Sequence, residues 1–174
     1  MNTINNNTVN NLLKNMFESK PSIKQIVERI AIFNPSLMDD DRQFCFLFDQ
    51  IALNNGYQDF ELPLYWTIGR AIYNYKKENN IRAEKTAPKK SALVNDVNLK
   101  NPLVDVYQFD IKRPSIKQII EKIAEYDSYI LSNDRKLVEL FDTIALNNGY
   151  SKEILPKYWN IIRIAYDYKK EIRG

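Results

Sequence analysis

Residues 21–26, with the sequence PSIKQI, occur again as residues 114–119, and the segment IALNNGY at residues 51–57 also returns unchanged. The match runs over 58 positions at a constant offset of 93 residues without a gap, and about 32 of the 58 positions are identical. A repeat of this length marks one structural unit that a chain uses twice. We therefore predict a tandem duplication, in which residues 21–78 form copy one and residues 114–171 form copy two.

Apolar residues at helical spacing predict an all-α fold with three helices in each copy. The first helix begins after Ser22, because Ser22 and Gln25 make a capping box in which each side chain bonds the other residue's N–H. Between the first and second helices we expect an irregular loop over residues 34–40, since the two copies diverge there.

The second helix is predicted from about Asp41 to Asn55, and the third is predicted to begin near Pro63. Gly56 follows the second helix as a left-handed stop, a conformation that glycine adopts without strain. Proline is accepted in the first turn of a helix, and two lysines suit the C-terminal end of the third helix.

We predict four segments along the chain. Residues 1–8 form a disordered polar tail, residues 9–78 the first helical repeat, residues 79–100 a flexible basic linker and residues 101–174 the second helical repeat. A short lead-in segment begins each repeat and would add a fourth helix to it. Since a lone unit of this size is marginally stable, the repeats are expected to pack on each other or to dimerise.

The chain has no histidine and a single cysteine. This composition excludes Ser-His-Asp and Cys-His nucleophiles as well as zinc sites built on Cys and His. Cys45 corresponds to Val138 in copy two, so both positions predict a small buried apolar group. The remaining catalytic candidates are Asp49, Arg70 and Tyr73, and their spacing does not favour a catalytic set. We predict a protein that is not an enzyme and that uses no cofactor and no metal.

The localisation expected from the sequence is intracellular. No apolar run approaches the roughly 18 residues that a membrane-spanning helix needs, and the polar N-terminus does not resemble a signal peptide. The composition is rich in Asn, Ile and Lys, which is typical of AT-rich genomes. We expect a cytoplasmic protein, located in the host cytoplasm if its source is a virus, phage or mobile element.

The third helix carries the densest aromatic group of each copy. Its members are Tyr65, Trp66, Tyr73 and Tyr75 in copy one and Tyr158, Trp159, Tyr166 and Tyr168 in copy two. A helix core is one interpretation and a binding surface is the other, because Tyr and Trp are enriched at interface hot spots. Tyr73 and Tyr75 cannot face the same core, so the exposed one of the two is the better candidate for binding a partner.

Charged residues near this aromatic group allow a structural and a functional interpretation. Arg70 lies four residues after Trp66 and suits a cation–π contact. Asp41 and Asp49 are acidic in both copies and suit ion pairs with Arg70 or Arg42. The functional alternative is a contact between these side chains and a partner.

Some repeated positions are not explained by caps, apolar stripes or helix stops, and these are the predicted partner-binding residues. They are Asn55, Tyr57, Arg70, Tyr75, Lys76 and Lys77 in copy one, and Asn148, Tyr150, Arg163, Tyr168, Lys169 and Lys170 in copy two. Phe46 is added to them because its counterpart is Glu139. This difference predicts that copy one buries its second-helix outer face against copy two or a partner, whereas copy two leaves it in water.

The function predicted from these patterns is that of a helical-repeat binding protein, such as an adaptor, an inhibitor or a structural subunit. A protein is the expected partner, no membrane partner is expected, and a homo-oligomer is an alternative way to cover the exposed faces. Two linked copies would gain avidity. The alternative function is nucleic-acid binding through Lys76, Lys77, the basic linker and copy-two lysines such as Lys152 and Lys157.

Overall fold

The computed structural model describes residue 17, residues 19–81 and residues 107–174. The predicted tail, most of both lead-in segments and the linker from residue 82 lie outside the described residues. The described part contains six α-helices, short 3₁₀ helices and no strand, which confirms the all-α prediction. The chain divides into two compact units between Lys85 and Thr86.

Three α-helices make up the described part of unit 1. They are α1 (Ile23–Phe33), α2 (Asp41–Asn54) and α3 (Tyr65–Glu78), with 3₁₀ helices at Pro35–Asp39 and Asp59–Glu61. Their apolar stripes meet in one core, whose fully buried side chains include Phe44, Phe48 and Ile68. Each helix is too short to be stable alone in water, so this shared burial stabilises all three.

Unit 2 has its own three α-helices. They are α4 (Ile116–Tyr126), α5 (Asp134–Asn147) and α6 (Tyr158–Arg173), with 3₁₀ helices at Ser128–Ser132 and Lys152–Ile154. The core again contains buried aliphatic and aromatic groups, among them Leu137, Phe141 and Ile161. Cys45 in unit 1 and Val138 in unit 2 are both buried, which confirms that this position takes a small apolar group.

The capping box predicted for the first helix of each copy is present. In unit 1 the Gln25 N–H donates to Ser22 Oγ at 3.3 Å, and the Ser22 N–H donates to Gln25 Oε1 at 2.8 Å. Ser115 and Gln118 exchange the same two bonds in unit 2, at 3.2 and 2.8 Å. Two N–H groups at each helix start are therefore satisfied without water.

The predicted stop of the second helix is also present. Gly56 and Gly149 both have φ of +93°, the left-handed region that glycine adopts most readily. The turn lets the Tyr57 N–H donate back to the Ala52 carbonyl at 3.1 Å, and Tyr150 bonds Ala145 in the same way at 3.0 Å. The chain can then turn toward its third helix.

The prediction of an irregular loop after the first helix was wrong, because the segment is a 3₁₀ helix in each unit. Asn34 Oδ1 accepts from the Ser36 N–H at 3.1 Å, and Asp127 Oδ1 accepts from the Tyr129 N–H at 3.0 Å. This local side-chain bond starts a tight turn in either sequence. The 3₁₀ helix was not predicted because the sequences of the two copies differ in this segment.

The third helix begins two residues later than predicted. Leu62 lies in an extended conformation, as expected for a residue before proline, and Leu64 is also extended with ψ of 144°. Helical geometry therefore starts at Tyr65, beyond Pro63. In unit 2, Lys157 is extended and α6 starts at Tyr158.

Candidate partner-binding surface on the third helix

The repeated tyrosine after the helix stop holds each unit together. Tyr57 Oη donates to the Pro21 carbonyl at 2.7 Å, and Tyr150 Oη donates to the Pro114 carbonyl at 2.8 Å. In each unit the hydroxyl thereby links the turn after the second helix to the proline that precedes the cap of the first helix. These two side chains are half-buried and are engaged inside their units.

The asparagine at the end of the second helix has a structural role as well. Asn55 Nδ2 donates to the Ile51 carbonyl at 2.7 Å, and Asn148 Nδ2 donates to the Ile144 carbonyl at 2.8 Å. Asn148 additionally donates to the Tyr107 carbonyl at 3.1 Å and accepts from the Phe109 N–H at 3.3 Å. It therefore fixes the end of the lead-in segment of unit 2.

The first lysine near the end of the third helix is tied to the 3₁₀ helix in each unit. Lys76 Nζ forms an ion pair with Asp39 at 2.6 Å. In unit 2, where Ser132 replaces the acid, Lys169 Nζ donates to the Ser132 hydroxyl at 3.0 Å and to the Leu131 carbonyl at 3.5 Å. Both lysines are half-buried.

A second ion pair joins the third helix to the first in each unit. Lys24 Nζ lies 3.1 Å from Glu78 Oε2, and Lys117 Nζ lies 2.9 Å from Glu171 Oε2. The hydrogen bond to the partner carboxylate raises the pKa of Lys24 and of Lys117. Both pairs are exposed, so their contribution to stability is small.

The acidic residues of the second helix also have partners in the fold. Tyr65 Oη donates to Asp49 Oδ2 at 3.0 Å, which links α3 to α2. The buried Asp41 forms an ion pair with Arg42 at 3.7 Å. This confirms the structural pairing predicted for Asp41 with Arg42.

The two candidate tyrosines of the third helix differ in exposure. Tyr73 is 67% exposed, whereas Tyr75 is half-buried. Unit 2 repeats the difference, with Tyr166 56% exposed and Tyr168 half-buried. The prediction that one of the two faces solvent is confirmed, but the exposed one is Tyr73 rather than Tyr75. Tyr73 therefore does not belong to the core face.

Four repeated residues share the outer face of the third helix, and we name them the outer stripe. In unit 1 they are Trp66, Arg70, Tyr73 and Lys77, and in unit 2 they are Trp159, Arg163, Tyr166 and Lys170. All are exposed except Trp159, which is half-buried. Intervals of four, three and four residues keep them on one side of a helix, where aromatic rings and cations alternate.

The outer stripe can contact a partner in two ways. Its rings offer broad, rigid apolar surfaces, and its arginine offers a planar set of donors that matches carboxylate and phosphate groups. In unit 2, Lys170 Nζ lies 4.5 Å from the centroid of the Tyr166 ring, so cation and ring already adjoin. Sequence reasoning had selected only Arg70, Lys77 and their counterparts from this stripe.

The second-helix position that distinguishes the copies is exposed in both. Phe46 is 65% exposed and Glu139 is also exposed. Phe46 therefore lies outside the core of its own unit, and its burial against copy two or a partner stays a prediction. On α2 the buried positions Phe44, Leu47 and Phe48 surround it in sequence, and Phe46 points away from that face.

Most of the predicted site residues fall into two groups, to which the half-buried Tyr75 and Tyr168 and the exposed Phe46 do not belong. One group bonds within its own unit and consists of Asn55, Tyr57 and Lys76 with Asn148, Tyr150 and Lys169. The other group lies exposed on the outer stripe and consists of Arg70, Lys77, Arg163 and Lys170. The structure adds the exposed Trp66, Tyr73 and Tyr166 and the half-buried Trp159 to the outer stripe. Tyr73 can be identified from its position directly after the buried Ile72, because consecutive residues of a helix point in different directions.

Comparisons with known proteins do not extend this description. No protein-family model, no curated protein and no solved structure matches the chain. Among the described helices, none has the length and apolar character that crossing a membrane requires.

Proposed function

We propose that this chain is a non-enzymatic binding protein, formed by tandem duplication of a three-helix unit, that contacts a protein partner through the outer stripe of each unit. The observation that carries the proposal is the identity of the stripe in both units, at positions that are all exposed except the half-buried Trp159. Trp, Tyr and Arg are the residue types most enriched at interface hot spots. Adaptor, inhibitor and structural-subunit roles, in a virus or mobile element or elsewhere, would all use such a surface.

The contacts of the charged residues on the third helix support this proposal. Lys76 and Glu78 bind other elements of unit 1, and this pattern explains why they recur. Arg70 and Lys77 recur at exposed positions of α3. A solvated helix face tolerates most substitutions, so identity there is better explained by a contact outside the unit.

The experiment is a quantitative pull-down from cells of the source organism with the full chain and a stripe variant, Tyr73→Ala with Tyr166→Ala. Species bound through the stripe are expected to be retained about 30-fold less, because a hot-spot aromatic contributes on the order of 2 kcal/mol. The control variant is Phe60→Ala with Tyr129→Ala, which truncates two exposed aromatics that the copies do not share. Equal loss with both variants, or no loss with either, would contradict the proposal.

One observation favours nucleic-acid binding as a second candidate function. The exposed Tyr73 and Tyr166 lie on the same helix face as Lys77 and Lys170, an arrangement that suits base stacking combined with phosphate contacts. The cations of the predicted linker lie outside the described residues. Fluorescence anisotropy with a single-stranded oligonucleotide at several salt concentrations tests this function. With the four stripe cations engaged, the slope of log affinity against log salt would be about −3.

A further inference from the structure

The spacing of the outer stripe has a specific structural meaning. Trp66, Arg70, Tyr73 and Lys77 follow one another at intervals of four, three and four residues. These are the intervals between the core positions of a coiled coil, where one helix packs lengthwise against another. Each ring therefore lies about 10 Å from the next ring along the helix, and each cation about 10 Å from the next cation.

The cations of the stripe determine the charge that a partner must carry in order to pack against the stripe. A helix that packed along α3 would place side chains beside Arg70 and Lys77, and an apolar group there would leave both charges desolvated. Desolvating an unpaired charge is costly, whereas a carboxylate supplies charge-assisted hydrogen bonds. The rings of Trp66 and Tyr73 require apolar side chains from the same partner.

We propose that the outer stripe docks an acidic amphipathic helix of another protein, in which apolar residues and Asp or Glu alternate at heptad spacing. This inference rests on the proposed function and specifies its partner. Charge complementarity favours it, since the charged residues of the stripe in unit 1, Arg70 and Lys77, are both exposed cations. The neighbouring carboxylate of Glu78 is already paired with Lys24. Helix-on-helix docking of this kind is a common mode of peptide recognition.

The two units differ next to the stripe, and this difference predicts unequal affinity. Asn74 of unit 1 corresponds to Asp167 of unit 2, and both are exposed. Asp167 lies four residues after Arg163 and three before Lys170, within reach of both cations. Its carboxylate competes with those of an acidic partner, so unit 1 binds the acidic helix more tightly than unit 2.

The test is a selection from a phage-displayed library of four-heptad helical peptides, randomised along one face, on the immobilised full chain. Counter-selection on the Tyr73→Ala, Tyr166→Ala variant removes peptides that bind elsewhere. Circular dichroism and chemical denaturation confirm that the variant is folded. The expected pool is enriched in Asp and Glu between apolar residues, and replacing an interfacial acid of a selected peptide by its amide weakens binding about fivefold.

Matched charge variants sharpen the same test. With a selected acidic peptide, Asn74→Asp is expected to weaken binding about threefold and Asp167→Asn to strengthen it about threefold, since a nearby surface charge contributes roughly 0.5 kcal/mol. If Asn74→Asp strengthened binding and Asp167→Asn weakened it, the prediction that unit 1 has the higher affinity would be overturned.

The outcomes separate this inference from the proposed function. Stripe-dependent peptides without acidic residues would overturn the acidic helix while leaving the stripe as the binding surface. If the selection recovered no peptide, the proposal that a helix binds to the stripe would be overturned. Peptides that bind the stripe variant equally well would overturn the stripe itself, and both proposals with it. If no peptide bound and a thirty-nucleotide oligothymidylate bound in a stripe-dependent way, the result would overturn the partner helix and identify nucleic acid as the partner.

Discussion

The exposed surfaces of the two units differ at several positions but agree along the outer stripe. Unit 1 exposes apolar side chains at four positions where unit 2 has charged ones. The corresponding residues of unit 1 and unit 2 are Ile32 and Glu125, Phe46 and Glu139, Phe60 and Glu153, and Leu64 and Lys157. At the outer stripe all four residues are the same. Exposed positions in this fold therefore tolerate large changes of polarity. The proposed contact with a partner would explain why the stripe did not change in the same way.

Substitutions in the cores of the two units are expected to have the largest effects on stability. Phe48 in unit 1 and Phe141 in unit 2 are both completely buried. Truncation to alanine in either position is expected to destabilise its own unit by about 3–5 kcal/mol, because burial is reduced and a cavity remains. Chemical denaturation monitored by NMR resonances of each unit measures the two effects. A destabilisation below about 1 kcal/mol in one unit only would show that the cores are not equivalent.

The tyrosine hydroxyl contacts come next in size. Tyr57→Phe and Tyr150→Phe each remove the hydrogen bond to a proline carbonyl and leave the ring in place. Each substitution is expected to cost about 1 kcal/mol of unfolding free energy, the usual net contribution of such a bond. Thermal or chemical denaturation of the two variants gives the values. An effect of the Tyr57 change alone would indicate that the hydroxyl of Tyr150 has no structural role.

The tie between the third helix and the 3₁₀ helix should differ between the units. Asp39→Ala removes a partly exposed ion pair of Lys76 and is expected to cost about 0.5 kcal/mol. Added salt should lessen that cost, because it screens charges at the surface. Ser132→Ala removes an uncharged acceptor of Lys169, so its effect should not vary with salt. Equal salt dependence of both variants would contradict this assignment.

The exposed apolar residues of unit 1 should contribute little to its fold. Exchanging Phe46 for the glutamate of unit 2, as Phe46→Glu, is expected to change the unfolding free energy by no more than about 0.5 kcal/mol, since the ring is exposed. Glu139→Phe is the matched exchange in unit 2. Denaturation curves compare the two. A destabilisation above about 1.5 kcal/mol for Phe46→Glu would mean that the ring is packed in the folded protein.

The smallest difference concerns acid sensitivity. The hydrogen bond from Lys20, whose Nζ lies 2.7 Å from Glu61, lowers the pKa of the Glu61 carboxyl. A lowered pKa in the folded state stabilises the protein above the unfolded pKa, and this stabilisation is lost as the pH falls through the folded pKa. Ile154 occupies this position in unit 2 and cannot titrate. NMR titration of Glu61 measures the effect, and Lys20→Met should raise its pKa toward the ordinary value.

Much of this architecture could be predicted because its signals are local. Capping boxes, glycine stops and apolar spacing depend on a few neighbouring residues, and both units form the helices expected from them. The 3₁₀ helices were missed because Asn34 and Asp127 start them by side-chain bonds within segments that otherwise differ.

The roles of individual side chains were harder to predict, since they depend on elements distant in sequence. The bond from Tyr57 to Pro21 and the pair of Lys76 with Asp39 join residues more than thirty positions apart. No helical periodicity indicates such partners. In contrast, the choice between Tyr73 and Tyr75 depended on α3 alone, because Tyr75 lies three residues after the buried Ile72 and so adjoins the core side.

The most direct test of the binding role of the outer stripe is oxidative footprinting of the purified chain before and after incubation with an extract of its source organism. If the stripe is the contact surface, oxidation of Trp66, Tyr73 and Tyr166 decreases in the extract-bound fraction. Phe60 and Tyr129, which are exposed but not shared by the units, keep their oxidation rates. Protection of Phe60 and Tyr129 with undiminished oxidation of the three stripe residues would contradict the account.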